Sequence, residues 1–184
     1  MTPIPVPAFS TQRLHMRPLC EADEALYCHL YTDPDVMRHI AAPLSVEAAQ
    51  RGFHAACRRA ADAESSMHVW SISEHAASAG IGVLARIRHA DAADEVELGI
   101  MLRAEGQGRG FSAEALAALT DFAFDTAPLR RVWTRQAPGN AAVVGLMYKL
   151  GFVRTDEGNA DAIEWRWQVT RERWRAIMAK SATW

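Results

Sequence analysis

Glu97 lies in the apolar run Glu95-Val-Glu-Leu-Gly-Ile-Met-Leu102, which leads directly into Arg103-Ala-Glu-Gly-Gln-Gly-Arg-Gly-Phe-Ser112. Together the two segments could hold an anion beside a base. Gly106, Gly108 and Gly110 carry no Cβ, so the backbone there can turn sharply and bring successive N–H groups up to a phosphate. A helix starting after the loop would direct its unpaired N–H groups and the positive end of its dipole at the same point. Alternation along the strand sets Glu97 opposite to Val96 and Leu98, which leaves it either a general base or a solvated, ion-paired strand residue. Arg109 either pairs with the phosphate through a charge-assisted bond or is a solvated loop residue. The expectation is a phosphorylated cofactor held next to proton-transfer chemistry.

The elements that would position these residues are legible as patterns. Glu95 to Leu102 is expected to be a strand, followed by a helix from about Arg109 to Asp125 with Ala115, Leu116, Leu119, Phe122 and Ala123 as its apolar stripe. Upstream, Gln12 to Arg17 alternates with Leu14 and Met16 on one face and reads as a first strand that Pro18 helps to end. Glu21 to Thr32 has helical spacing, Asp33-Pro34 turns the chain into a short helix from Asp35 to Ile40, and Ser45 caps a longer one from Val46 to about Ala63. Met67 to Ser73 and Ala79 to His89 form an expected hairpin around Glu74 to Ser78, with a bend or bulge at Gly80 and Gly82. After Pro128, a strand is expected from Leu129 to Arg135, then a helix capped by Asn140 and stopped by Gly151. Strands at Phe152 to Thr155 and Ile163 to Val169 and a helix from Glu172 to Ala179 complete the order β-α-α-α-β-β-β-α-β-α-β-β-α. The economical architecture is one α+β domain over residues 1–184 around a mixed sheet.

Composition narrows the functions further. The chain has 184 residues, with 20 Lys+Arg against 22 Asp+Glu, so no basic field favours nucleic acid or an anionic membrane. Cys20, Cys28 and Cys57 are odd in number and lack C-x-x-C spacing, which suits a reducing cytoplasm better than a disulfide framework. Met1 to Pro7 shows no basic then apolar pattern of a secretory signal, and no uncharged apolar run reaches about 18 residues. The histidines form no H-E-x-x-H or other close ligand pair, so no metal is expected.

Three separate places resemble the GNAT superfamily of acyl-CoA-dependent N-acetyltransferases. Gln107-Gly-Arg-Gly-Phe-Ser112 is similar to the Q/R-x-x-G-x-G/A pyrophosphate loop, with Ser112 where that pattern has Gly or Ala. Asn140 with Tyr148-Lys-Leu-Gly-Phe152 is similar to the later N-(x)n-K-L-G-F motif. Thr11-Gln-Arg-Leu-His-Met-Arg17 with Asp33-Pro-Asp-Val36 looks like the subgroup containing the ribosomal-protein N-terminal acetyltransferases. With Thr170-Arg-Glu-Arg-Trp174, the likeness spans essentially the whole chain.

The resemblance implies a mostly antiparallel sheet flanked by helices, with two strands splayed at the cofactor site. It implies acetyl-CoA as co-substrate and a primary amine, either a protein N-terminus or a small amine, as acceptor, in a monomer or homodimer. Gln107 and the backbone N–H groups of Gly108, Arg109, Gly110, Phe111 and Ser112 would hold the pyrophosphate, and backbone groups of Met101 and Leu102 the pantetheine arm. Asn140 would contact pantetheine or substrate, or simply cap its helix. Glu97 would act as base through water. Relatives carry an acidic Tyr four residues before the Gly of L-G-F, a position held here by Met147, while Tyr148 lies about 100° further round the helix. The subgroup's Ser, three residues after the Asn, is Val143. Tyr148 is the remaining candidate acid; water as donor, or a noncatalytic acyl-CoA-binding or regulatory module, are the alternatives. Asp33, Asp35 and His39 would line the acceptor side or cap the turn.

Overall fold

The computed structural model describes residues 6–60, 62, 64–77, 79–155 and 164–181. Its strands are β1 (Phe9–Ser10), β2 (Leu14–Pro18), β3 (Met67–Glu74), β4 (Gly80–Ile87), β5 (Glu95–Leu102), β6 (Arg131–Gln136), β7 (Val153–Arg154) and β8 (Trp165–Thr170). Its helices are α1 (Glu24–Thr32), α2 (Pro34–Met37), α3 (Val46–Ala60), α4 (Phe111–Thr126), α5 (Ala141–Lys149) and α6 (Arg171–Ser181). The strands form one sheet in the order β1-β2-β3-β4-β5-β6-β8-β7. Every neighbouring pair is antiparallel except β5 and β6.

Strand β5 coincides with its expected span. By contrast, β1 carries too few residues to show alternation and exists because Phe9 and Ser10 pair with Met16 and His15 across a turn. Glu21–Asp23 form a 3₁₀ turn ahead of α1 rather than its first residues. Helix α2 stops at Met37, short of the expected Ile40, and opens at Pro34, where Asp33 caps it by accepting from the N–H groups of Asp35 and Val36. The positions Ala63, Ser78 and Ile163, where element ends or a turn were expected, lie outside the described residues.

Strand alternation sorts the core into two layers. On one face Leu14, Met16, Trp70, Ile72, Leu84, Val96, Leu98 and Val132 pack with the α4 stripe and with Trp174 of α6. On the other, Val69 and Val83 meet Leu26, Tyr27 and Leu30 of α1 and Phe53 of α3. Trp174 ties α6 to α4 through an indole N–H donated to Asp121 at 2.7 Å. Truncating such a buried aromatic to alanine would cost about 3–5 kcal/mol, so the layers are fixed supports for whatever the sheet edge presents.

Midway across the sheet the ladder stops. Strands β5 and β6 share only the register pairs Glu95↔Arg131, Val96↔Val132 and Glu97↔Trp133. Beyond them β5 continues beside β4 to Gly82↔Leu102, and β6 continues beside β8 to Gln136↔Trp165. Each half therefore follows its own twist, and a gap opens past Glu97. Helix α4 makes the crossover between these parallel strands, so its N-terminus stands at their carboxyl ends, where open α/β sheets place ligands.

Candidate active site

At the end of β5 the chain makes a 3₁₀ turn at Ala104–Gly106, and the Gln107 amide donates back to the Leu102 carbonyl at 3.0 Å. Gly108 and Gly110 then adopt φ of 71° and 79°, the left-handed region that glycine alone enters without a Cβ penalty. Gly106 does not share that conformation, and a Cβ there would meet only ordinary contacts, so two glycines rather than three are required by the turn. Among the described residues, a Cβ on Gly108 would meet nothing within 4 Å. Gly110 caps α4 without a side chain, so the first N–H groups of the helix look out from the same place.

The side chains around the loop are tied to distant segments. Glu114 accepts from Thr11 Oγ1 at 2.5 Å, Arg13 N at 3.0 Å and Arg13 Nε at 2.6 Å, which staples the β1–β2 turn to the first turn of α4. Burial alone would raise the Glu114 carboxyl; the donors from Thr11 and Arg13 prevail and hold it below the usual carboxylate range. Arg13 also donates to the Arg109 carbonyl at 3.1 Å, and both guanidinium groups stack on Phe111, at 4.7 and 4.3 Å from its ring centre. Arg109 is half-exposed but not free: it makes a bidentate pair with Glu74 at 2.6 and 2.8 Å, whose hydrogen bond raises the Arg109 guanidinium pKa. The Phe111 side chain is buried in the core, leaving its backbone to the loop.

Glu97 stands at the foot of the gap, on the face opposite α4. Its side chain is 8% exposed; Oε1 accepts from Arg135 Nε at 2.8 Å and Oε2 lies 2.9 Å from His89 Nε2. On the same face Glu95 binds Arg131 and, at 3.0 Å, Arg166 Nη2. Trp133, the strand partner of Glu97, lies beneath the Arg166 guanidinium at 3.9 Å and beside the His89 ring at 5.3 Å. None of His89, Arg135 or Trp133 was singled out from sequence. The hairpin register carried the signal for His89, because Ile87 pairs with Glu97 and the residue two further on shares its face.

On the α4 face, β6 carries Gln136 past the point where the strands part. It is 7% exposed, and neither amide atom has a hydrogen-bond partner among the described residues. An unpaired buried amide costs about 1–3 kcal/mol per group, which calls for a ligand or a functional reason. Asn140 accepts from Val143 N at 3.3 Å, so it caps α5. The Leu102 carbonyl accepts from the Gln107 side chain, which uses one of its two lone pairs, while the Met101 side chain packs toward α1 and α3.

The expected acid is not brought to this gap. Tyr148 is 62% exposed and stands edge-on to Trp167 of β8 at 5.1 Å, lining with Arg154 and Trp165 a separate cleft of about 310 Å³. The one-residue offset has turned it toward β7 and β8, while Met147 occupies the core at 1% exposure. Asp33 likewise serves as a helix cap, with His29 Nε2 3.6 Å from its second oxygen.

Comparison with known proteins agrees with this geometry. A family model described as the acetyltransferase (GNAT) domain matches residues 13–153. No curated protein matched the chain. Among solved structures, an acetyltransferase from Agrobacterium tumefaciens str. C58 superposes with a TM-score of 0.76 at 24% identity, covering 91% of this chain and 96% of that one. A spermidine N-acetyltransferase from Vibrio cholerae, solved with CoA and spermine, gives 0.74 at 17% identity over 90% of this chain and 99% of that one. Apo FdhC, described as a nucleotide-linked sugar GNAT, gives 0.76 at 14% identity over 98% and 97%. At these identities the likeness establishes the fold.

Proposed function

The chain belongs to the acetyltransferase (GNAT) domain family, and from that premise we propose that it transfers the acetyl group of acetyl-CoA to a primary amine. One observation carries the reading: β5 and β6 part above a buried carboxylate, and a glycine loop closes the end of the same strand.

The residues present fit the cofactor. Two left-handed glycines with open space where a Cβ would stand suit a pyrophosphate, and the orphaned Gln136 amide suits a polar arm lying in the gap. In this reading the backbone N–H groups of residues 108–112 hold the phosphates, with Gln107 bracing the loop. Met101 and Leu102 offer backbone to the arm, and Asn140 adds a contact through the amide nitrogen its cap does not use. Bound acetyl-CoA supplies an acetyl group activated as a thioester. An alkylammonium acceptor has a pKa near ~10.4, so it must lose a proton before its nitrogen can attack. Glu97 supplies the negative charge toward which that proton moves, and general-base help of this kind is worth about 10²–10⁴-fold in rate. Val143 and Met147 carry no proton to give and Tyr148 faces another cleft, so solvent supplies the proton required later.

The acceptor is a peptide N-terminus or a small amine, the former supported by the likeness of Thr11–Arg17 to the ribosomal-protein subgroup. We further propose a single domain over residues 1–184, monomeric or homodimeric, working in a reducing cytoplasm, in keeping with free Cys20, Cys28 and Cys57. Among the described residues no helix is long and apolar enough to cross a membrane. Thiol release from acetyl-CoA across a panel of amines and N-terminal peptides tests the proposal, with Glu97→Gln expected to lower turnover more than CoA affinity. Tight CoA binding without turnover on any acceptor would instead identify a noncatalytic acyl-CoA-binding module.

A further inference from the structure

Both oxygens of Glu97 are already engaged, and its side chain has almost no contact with solvent. To take a proton itself, the carboxylate would have to give up a charge-assisted bond to Arg135 or its bond to His89. The imidazole is placed differently. His89 is 36% exposed, and while Nε2 faces Glu97, its other nitrogen, Nδ1, has no hydrogen bond among the described residues.

Resting on the acetyltransferase reading above, we infer that His89 is the group that accepts the proton of the acceptor amine, at Nδ1, and that Glu97 is the positioning residue that orients it. A carboxylate accepting from Nε2–H fixes the tautomer whose lone pair is on Nδ1, the arrangement a general base requires. The proton of the ammonium group passes to Nδ1 directly or through one water. The products are a neutral amine with a free electron pair and an imidazolium, which returns its proton to solvent. Trp133 packs against the ring and limits its rotation. The charged groups facing the pair are Arg135 of β6, Arg166 of β8 stacked on Trp133, and Glu95 of β5, itself held by Arg131 and Arg166. Ile87, the β4 residue paired with Glu97, carries no charge.

The test combines pH–rate profiles for the best amine of the panel with ¹⁵N-imidazole NMR of the free protein, which reads His89 without cofactor or turnover. Wild type should show His89 with its proton on Nε2. His89→Gln should lose about 10²-fold or more in kcat, keep CoA affinity, and lose the acidic limb of the profile. Glu97→Gln replaces the carboxylate that accepts from Nε2–H, so the ¹⁵N spectrum of His89 should change from one tautomer to a mixture of two while kcat falls and CoA affinity stays at the wild-type value. His89→Gln with wild-type kcat and an unchanged acidic limb would overturn the inference, as would a His89 proton on Nδ1. Either result leaves acetyl transfer standing, whereas wild-type protein that releases no thiol with any acceptor removes the underlying reading as well. His89→Asn, with unchanged thermal stability, guards against a folding artefact.

Discussion

Gly108→Ala separates the conformational demand of the loop from its proposed ligand. At φ 71° an L-residue pays the left-handed penalty of about 1–2 kcal/mol, and nothing within 4 Å of the added methyl contributes a clash. A chain of this length loses about 2–4 °C per kcal/mol, so the melting temperature should fall by about 2–8 °C. If that open space is where a pyrophosphate lies, the methyl also displaces the ligand from a backbone donor. One hydrogen bond to a charged group is worth about 1.5–3 kcal/mol, which predicts CoA binding weakened by roughly 10- to 150-fold. Thermal denaturation gives the first quantity, and calorimetric titration of CoA well below the transition gives the second. A melting temperature reduced as calculated alongside wild-type CoA affinity would refute the phosphate-loop assignment, because the torsional argument would hold while the ligand argument failed.

Other perturbations probe neighbouring features. Gly145→Ala, inside α5 with nothing within 4 Å of the new methyl, should raise stability by about 0.5–1 kcal/mol; a lower melting temperature would contradict that. Gln136→Leu removes the unpaired buried amide and should stabilise the free protein by about 1–3 kcal/mol while weakening CoA binding, so unchanged affinity would deny Gln136 its ligand. Because the Glu114 carboxyl is held below its ordinary value, its contribution is full above an unfolded pKa of about 4.3 and is lost as pH falls through the lower folded value. The gap in urea midpoint between wild type and Glu114→Gln should thus be level from about pH 5 to 7 and close below about pH 4, and a pH-independent gap would exclude the staple.

What could be read from sequence was what local chemistry determines. Strand β5 announced itself by apolar residues bounded by charge and glycine, and α3 by a serine cap and apolar spacing. The turn after β5 followed from glycines whose backbone freedom needs no distant partner. The remainder depends on pairing between remote segments. Arg13 meets Glu114 at a separation of 101 residues, and Glu74 claims Arg109 from 35 residues away. Neither separation leaves a periodic trace. Tyr148 shows the limit differently: its helix was expected, but one residue of phase decided whether the ring met the gap or Trp167. Glu97 was placed on the right strand, yet its pairing with Arg135 and His89 required the hairpin and crossover registers together.

The parted sheet is also a pair of leaves joined along a short spine. Three register pairs form that spine, and the ions that span the leaves, Glu95 to Arg131 and Arg166 and Glu97 to Arg135, all start from the β5 residues at its ends. Charge therefore rivets the axis and leaves the tips of β5 and β6 without a common ladder. From Glu97 to Leu102 a strand reaches about 17 Å, so turning one leaf by about 5° would move its tip about 1.5 Å while the spine hardly shifts. Such leverage would let the mouth change width without disturbing the carboxylate at its base.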